Sequence, residues 1–210
     1  MAGGNLRFGE SAVIVGLGIL GQIIAQIASA AACRVAAFDV NKDRAELLKQ
    51  HGIEHVYADR EPLESSLRTM TDGHGADCVI LCAGGPGEEL INRSLSWIRD
   101  RGKIVIVGDL STEFSRALMF GKEAQIVISR AGGPGRYDES YEKENRDYPI
   151  GYSRWMEGRN TAEYIRLLAD NRISVLPLIS DMYPLERAHE AYGNYGHSRT
   201  VMGTLLKYGN

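Results

Sequence analysis

"SAVIVGLGILGQIIAQ", residues 11–26, joins an apolar strand-like run to a helix-like run through three glycines, Gly16, Gly18 and Gly21. Each glycine of this G-x-G-x-x-G spacing has its own physical reason. Gly16 permits a tight turn out of a first strand over residues 12–15, Gly18 lets a pyrophosphate approach the backbone, and Gly21 lets the next helix pack against the sheet. A helix from about Ile19 then aims its free amides and the positive end of its dipole at the phosphates. Taken alone, the three glycines also fit turns that serve packing only.

The second element completes the pattern. "VAAFDVNKDR" ends a strand-like run on Asp39, 18 residues beyond Gly21, where a carboxylate can accept hydrogen bonds from both hydroxyls of an adenine ribose. Its charge would repel the 2′-phosphate of NADP, so the expected cofactor is NAD. The competing reading is that Asp39 only caps a helix beginning near Asn41. S-adenosylmethionine is a weaker alternative, because methyltransferase loops usually lack the third glycine.

Outward from this stretch, short apolar runs alternate with longer amphipathic ones to about residue 130. "SAVIV", "RVAAFD", "HVYA", "DCVILCAG", "GKIVIVG" and "QIVIS" read as strands, and "GILGQIIAQIASAAA", "NKDRAELLKQHG", "EPLESSLRTMTDG" and "GPGEELINRSLSWIRDRG" as helices. Glycine ends at 51–52, 72–73 and 101–102 mark helix exits. Nearly all-apolar strands alternating with helices call for an α/β doubly wound parallel sheet covered on both faces, a Rossmann fold. Residues 1–155 form this domain, including a long loop over 130–155, and 156–210 form a C-terminal helix-strand extension. A loop of that length is usually functional or disordered, and its tyrosines and Trp155 argue for order. "TAEYIRLLADNR" reads as a helix, "LPLISDMYPLERAHEAYGNY" as an extended piece then a helix from near Pro184, and "TVMGTLLKY" as a closing strand.

Composition narrows the classes. The 24 basic and 27 acidic residues give a formal charge of −3, with no basic stretch to attract nucleic acid. No apolar run reaches the roughly 18 residues of a membrane span, and "MAGGNLRFGES" has no signal-peptide core, which points to a cytoplasmic protein. The three cysteines make no disulfide framework. Cys78 and Cys82 share a strand face but lie about 13 Å apart, too far to chelate one metal, and read as small hydrophobes. None of the five histidines falls in a metal-binding pattern, so no metal site is expected.

"GESAVIVGLGILGQIIAQIASAAACRVAAFDVNKDRAELLKQHG", with "GADCVILCAGG", "IRDRGKIVIVG" and "LPLISDMYPLERAHEAY" following in order, resembles the cofactor-binding core of the medium-chain dehydrogenase/reductase family, the zinc-type alcohol dehydrogenases and their relatives. "GPGRYDESYEKENRDYPIGYSRWMEGRNTAEYIRLL" is similar to the dehydrogenase half of bacterial bi-domain oxidoreductases, and the chain ends about where their second half would begin. The resemblance implies that Ile19 and Leu20 amides join Gly16, Gly18 and Gly21 at the pyrophosphate. Arg44 would stand beside Asp39, Ala83, Gly84 and Gly108 would line the groove for the nicotinamide half, and residues 128–130 would lie near the carboxamide. Family members carry a barrel-like catalytic domain ahead of the first strand, with their zinc ligands. Almost nothing precedes Ser11 here, so zinc catalysis does not carry over.

The expected function is therefore NAD(H) binding for hydride transfer to or from a carbinol carbon, as in an alcohol, polyol or sugar dehydrogenase. The alternative is a non-catalytic dinucleotide-binding module or subunit. Candidates for an acid or base are Tyr137, Tyr141, Tyr148, Arg136 and Arg154 in the long loop and Asp109 beside the groove. Two contacts with other chains are expected. The edge strand "QIVIS" would pair in a homodimer, and "TVMGTLLKY", left without sheet partners, would be covered by another domain or chain.

Overall fold

Val13 and Val15 enter one apolar cluster while Ala12 and Ile14, between them, enter another. That alternation places the strand at the centre of a sheet with both faces covered. The computed structural model of the chain describes residues 5–197 and 201–209. Its main sheet has six strands, β1 (Ser11–Val15), β2 (Arg34–Phe38), β3 (His55–Tyr57), β4 (Ala76–Leu81), β5 (Ile98–Ile106) and β6 (Gln125–Ile128), in the order β3-β2-β1-β4-β5-β6. Every pairing is parallel. The helices α1 (Ile19–Ala30), α2 (Lys42–Gln50), α3 (Arg60–Met70), α4 (Glu88–Trp97) and α5 (Arg116–Lys122) supply the crossovers. This is the doubly wound Rossmann order, with β6 at an edge, and its reversal of direction falls between β1 and β4.

One boundary differs from the sequence reading. The helix expected to run to the glycine at 102 stops at Trp97, and residues 98–102 already belong to β5. Between Ala76 and Cys78 on β4, five residue steps of β5 are spent, from Ile98 to Lys103. The excess forms a bulge with Arg101 at φ +59°, and a Cβ on Gly102 would stand 2.8 Å from that of Ile98. "RG" therefore marks a kink in a strand and not a helix exit. Helix α5, in a stretch where the sequence reading placed no element, begins on the Ser115 cap.

The bulge is fastened by Asp77. Its Oδ2 accepts from the Ser11 amide at 2.8 Å and the Ser11 hydroxyl at 2.9 Å, and its Oδ1 accepts from Arg99 Nε at 2.7 Å. Desolvation alone would raise its pKa, but these hydrogen bonds outweigh it and hold the carboxyl below the usual carboxylate value. A group depressed in the folded state contributes stability above its unfolded pKa, and loses it as pH falls through the folded pKa. Asp77→Asn is thus expected to cost about 1–2 kcal/mol at neutral pH. In thermal melts, the gap from the wild type should close as pH falls below about 4. A gap that stays constant down to pH 3 would contradict this.

The C-terminal part climbs α1 from its end to its start. After α6 (Glu139–Glu142) and α7 (Glu157–Ala169), Arg172 Nη2 donates to Ala30 O at 2.8 Å and the Ser174 amide to Gln26 Oε1 at 2.8 Å. A 3-10 turn over Leu176–Leu178 leads to β7 (Ile179–Pro184). A second at Leu185–Arg187 leads to α8 (Ala188–His197), and the last strand is β8 (Gly203–Lys207). A Cβ on Gly203 would lie 3.2 Å from Ile19 Cδ1, at the first turn of α1. β8 is not left unpartnered as the sequence suggested, because it pairs in parallel with β7. Thr200, included in that expected strand, and residues 1–4 lie outside the described residues. Among the described residues no helix is long and apolar enough to cross a membrane.

Candidate functional site

Gly16 takes φ +87°, and a Cβ there would meet Ala83 N at 2.7 Å, so both conformation and space demand glycine. At Gly21 a Cβ would fall 1.9 Å from Gly16 O, which seats the first turn of α1 directly on the turn it leaves. Gly18 differs from both, for its Cβ would meet nothing within 4 Å. The helix that follows has no side-chain cap and no acid in its first turn. Its leading amides and positive dipole end, at Ile19 and Leu20, therefore suit an anionic group arriving over Gly18.

Asp39 lies at the end of β2, 6% exposed. Its Oδ2 accepts from the Leu17 amide at 2.6 Å and its Oδ1 from the Asn41 amide at 2.8 Å. The cap of α2 is Asn41, whose side chain accepts from the amides of Asp43 and Arg44, so Asp39 is free of that task. Arg44 Nη1 stands 3.7 Å from Asp39 Oδ2. A cavity of about 340 Å³ adjoins this corner, walled by Asn41 and Arg44 on one side and by Pro177, Ser180 and Met202 of the C-terminal part on the other.

On the far side of the switch point the strand ends crowd together. A Cβ on Gly108 would sit 1.9 Å from Ala83 O, so Gly16, Ala83 and Gly108 form one close-packed floor where β1, β4 and β5 finish. Gly84 flanks Asp109, whose carbonyl accepts from the Gly85 amide at 2.8 Å, and Ser111 N donates to Gly85 O at 3.1 Å. Gly87 is packed on Ser111 and donates to its hydroxyl at 2.9 Å. The two loops beyond β4 and β5 are thus zipped together, a feature that reading one loop at a time misses. Asp109 is exposed beside this floor, and the Ser129 amide, just past β6, donates to Ile106 O at 2.8 Å on the same sheet end.

The long loop is ordered by its own side chains. Tyr148 donates its hydroxyl to Asp138, which also receives the Ser140 amide and starts α6. That hydrogen bond lowers the Asp138 pKa and raises the Tyr148 one. Tyr141 meets Tyr148 edge to face at 6.1 Å. Tyr137 is stacked by two guanidinium groups, Arg136 at 4.9 Å and Arg130 at 5.4 Å, and Arg154 covers Trp155 at 5.2 Å. From α7, Arg159 reaches back to Asp147 Oδ2 and Tyr148 O, both at 2.6 Å. Of the acid-base candidates, Arg136 lies over Tyr137 and Tyr141 meets Tyr148, while Arg154 is set apart on Trp155. Asp109, the sixth candidate, is exposed just past the end of β5.

The family model described as "zinc-binding dehydrogenase" matches residues 20–144, more than half of the chain. The putative alcohol dehydrogenase D of Mycobacterium tuberculosis is 34% identical over 97% of this chain, and D-guloside 3-dehydrogenase of Escherichia coli is 27% identical over 91%. The chain spans about half the length of these curated relatives, 51% and 52%. Among solved structures, an Escherichia coli alcohol dehydrogenase (rspB), described as complexed with cofactor NADH, superposes on 97% of this chain and 54% of its own at TM-score 0.72 and 18% identity. The order of the sheet, the glycine turn at its centre and this match agree, and the chain belongs to the zinc-binding dehydrogenase family, within which it corresponds to the domain that holds a nicotinamide cofactor.

Proposed function

We propose that this chain is the NAD(H)-binding half of a dehydrogenase that moves hydride to or from a carbinol carbon of an alcohol, polyol or sugar. The observation that carries this reading is the buried Asp39 carboxylate beside an uncapped helix start. The alcohol and D-guloside dehydrogenases among the relatives, and the NADH complex among the structures, support the same choice. A nicotinamide cofactor, when bound, supplies the hydride donor or acceptor. This chain's own residues bind and orient. The first amides of α1 meet the pyrophosphate charge over Gly18, Asp39 accepts from the adenine ribose, and the floor of Gly16, Ala83 and Gly108 supports the nicotinamide half. The loop's tyrosines and arginines hold the loop together, so no proton step is assigned to them.

The residues of this chain do not fit the zinc of the family description. Burial pushes the Cys78 and Cys82 thiols up to about 12, so both are neutral side chains of the protein interior. Among the described residues no cluster of three or more His, Cys, Asp or Glu could hold a metal ion. No step is therefore derived through zinc.

Titration with NADH and NADPH, followed by nicotinamide fluorescence, tests the proposal. NADH is expected to bind at least about tenfold more tightly, a difference of about 1.4 kcal/mol from one charge repulsion at the ribose. Equal affinities would remove the NAD assignment, and binding of neither would overturn the reading as a whole.

A further inference from the structure

We infer that Gln22 is a positioning residue for the ribose carboxylate, a role that rests on the cofactor reading above. Its side chain closes a circuit of contacts. Asp39 Oδ2 accepts from the Leu17 amide at 2.6 Å, and the Leu17 carbonyl accepts from Gln22 Nε2 at 3.3 Å. The same nitrogen donates to the Arg44 carbonyl at 2.8 Å, and Arg44 Nη1 returns to Asp39 Oδ2 at 3.7 Å. The ring thus joins the glycine turn, α1 and α2 around one carboxylate.

The choice of residue argues for this role over packing. Gln22 is 0% exposed, and its Oε1 has no hydrogen-bond partner. Burying an amide with its acceptor unmet is costly, and methionine would fill a similar volume without that cost. What glutamine adds is two N–H groups on one nitrogen, and both point at main-chain carbonyls. The amide cannot be reversed, since its oxygen would then face two carbonyl oxygens. Fixing the Leu17 backbone fixes one of the two amides that donate to Asp39, and fixing the Arg44 backbone holds the root of the side chain whose Nη1 pairs with the same carboxylate at 3.7 Å.

The test compares Gln22→Met, Asp39→Asn and the double variant with the wild type, using ADP-ribose, NADH and reduced nicotinamide mononucleotide as ligands. Gln22→Met is expected to weaken ADP-ribose and NADH about tenfold and to leave the mononucleotide, which lacks the adenosine half, unchanged. In the Asp39→Asn background the same change should cost less than about twofold, because coupled residues are not additive. An equal loss for all three ligands, an undiminished tenfold loss in the double variant, or unaltered ADP-ribose binding would each overturn the inference. If Asp39→Asn itself leaves ADP-ribose and NADH affinity untouched, the cofactor reading fails instead, and this inference with it. Should Gln22→Met not fold, proton exchange of the Gln22 side-chain amide in the wild type decides. It is expected to slow about tenfold when ADP-ribose is added, and exchange that does not respond would overturn the role.

Discussion

Asparagine in place of Asp39 is expected to raise the dissociation constant of NADH about 30-fold while NADPH binding holds or improves up to about threefold, moving the ratio between them by about 30- to 100-fold. The carboxylate already accepts from the Leu17 and Asn41 amides, and its remaining lone pairs are those a ribose diol would use. Hydrogen bonds to a charged acceptor contribute about 1.5–3 kcal/mol each, against about 1 kcal/mol for neutral ones. Losing the charge under two ribose hydroxyls therefore removes on the order of 2 kcal/mol, or about 30-fold. A 2′-phosphate gains instead, because the repelling charge is gone and Arg44 Nη1, 3.7 Å from the carboxylate, remains close by. Asparagine keeps one acceptor, for the Leu17 amide, and turns its NH2 toward the Asn41 amide, so a loss of about 1–2 kcal/mol in stability accompanies the change, and the ratio of NADH to NADPH affinity is the readout that this loss does not move. Equal losses for NADH and NADPH would show that Asp39 shapes the glycine turn without touching the ribose.

The acid and the glycines were legible because each does a local job at a fixed spacing. Gly16, Gly18 and Gly21 sit between a strand and a helix whose periodicities announce themselves, and Asp39 ends the next strand. Gln22 was not legible, since its partners Leu17 and Arg44 belong to different elements and only the folded chain brings their carbonyls to one amide. The same cause hid the zipper between Gly85, Gly87 and Ser111. The misplaced end of α4 has another origin. "IRDRG" carries the polar residues and closing glycine of a helix exit, yet the salt bridge of Arg99 to Asp77 and the left-handed Arg101 turn it into a bulge of a strand. Pairing with β4 decides that segment, and local propensity is overruled by it. The C-terminal strand was legible as a strand, but its partner β7 lies across α8, a non-local pairing that no short pattern encodes.

Two alanine substitutions within one motif should give opposite signatures, and the contrast separates folding from binding. In Gly21→Ala the new methyl would stand 1.9 Å from the Gly16 carbonyl oxygen, a main-chain atom held by the sheet. The helix must move off the turn, at a cost of about 3 kcal/mol, typical of severe overpacking. For a chain of this length that is a fall of about 6–12 °C in the melting midpoint. Gly18→Ala meets nothing within 4 Å, and its φ of −65° suits any residue. Its melting midpoint should hold or rise slightly, since alanine restricts the unfolded chain more than glycine does. NADH affinity in that variant is expected to drop by about tenfold or more, because the methyl occupies the space over which the pyrophosphate must approach the amides of α1. A stable Gly18→Ala protein that binds NADH as the wild type does would mean that the open face of the turn is not the phosphate seat. In that case the glycines serve packing, and the cofactor assignment loses its physical basis.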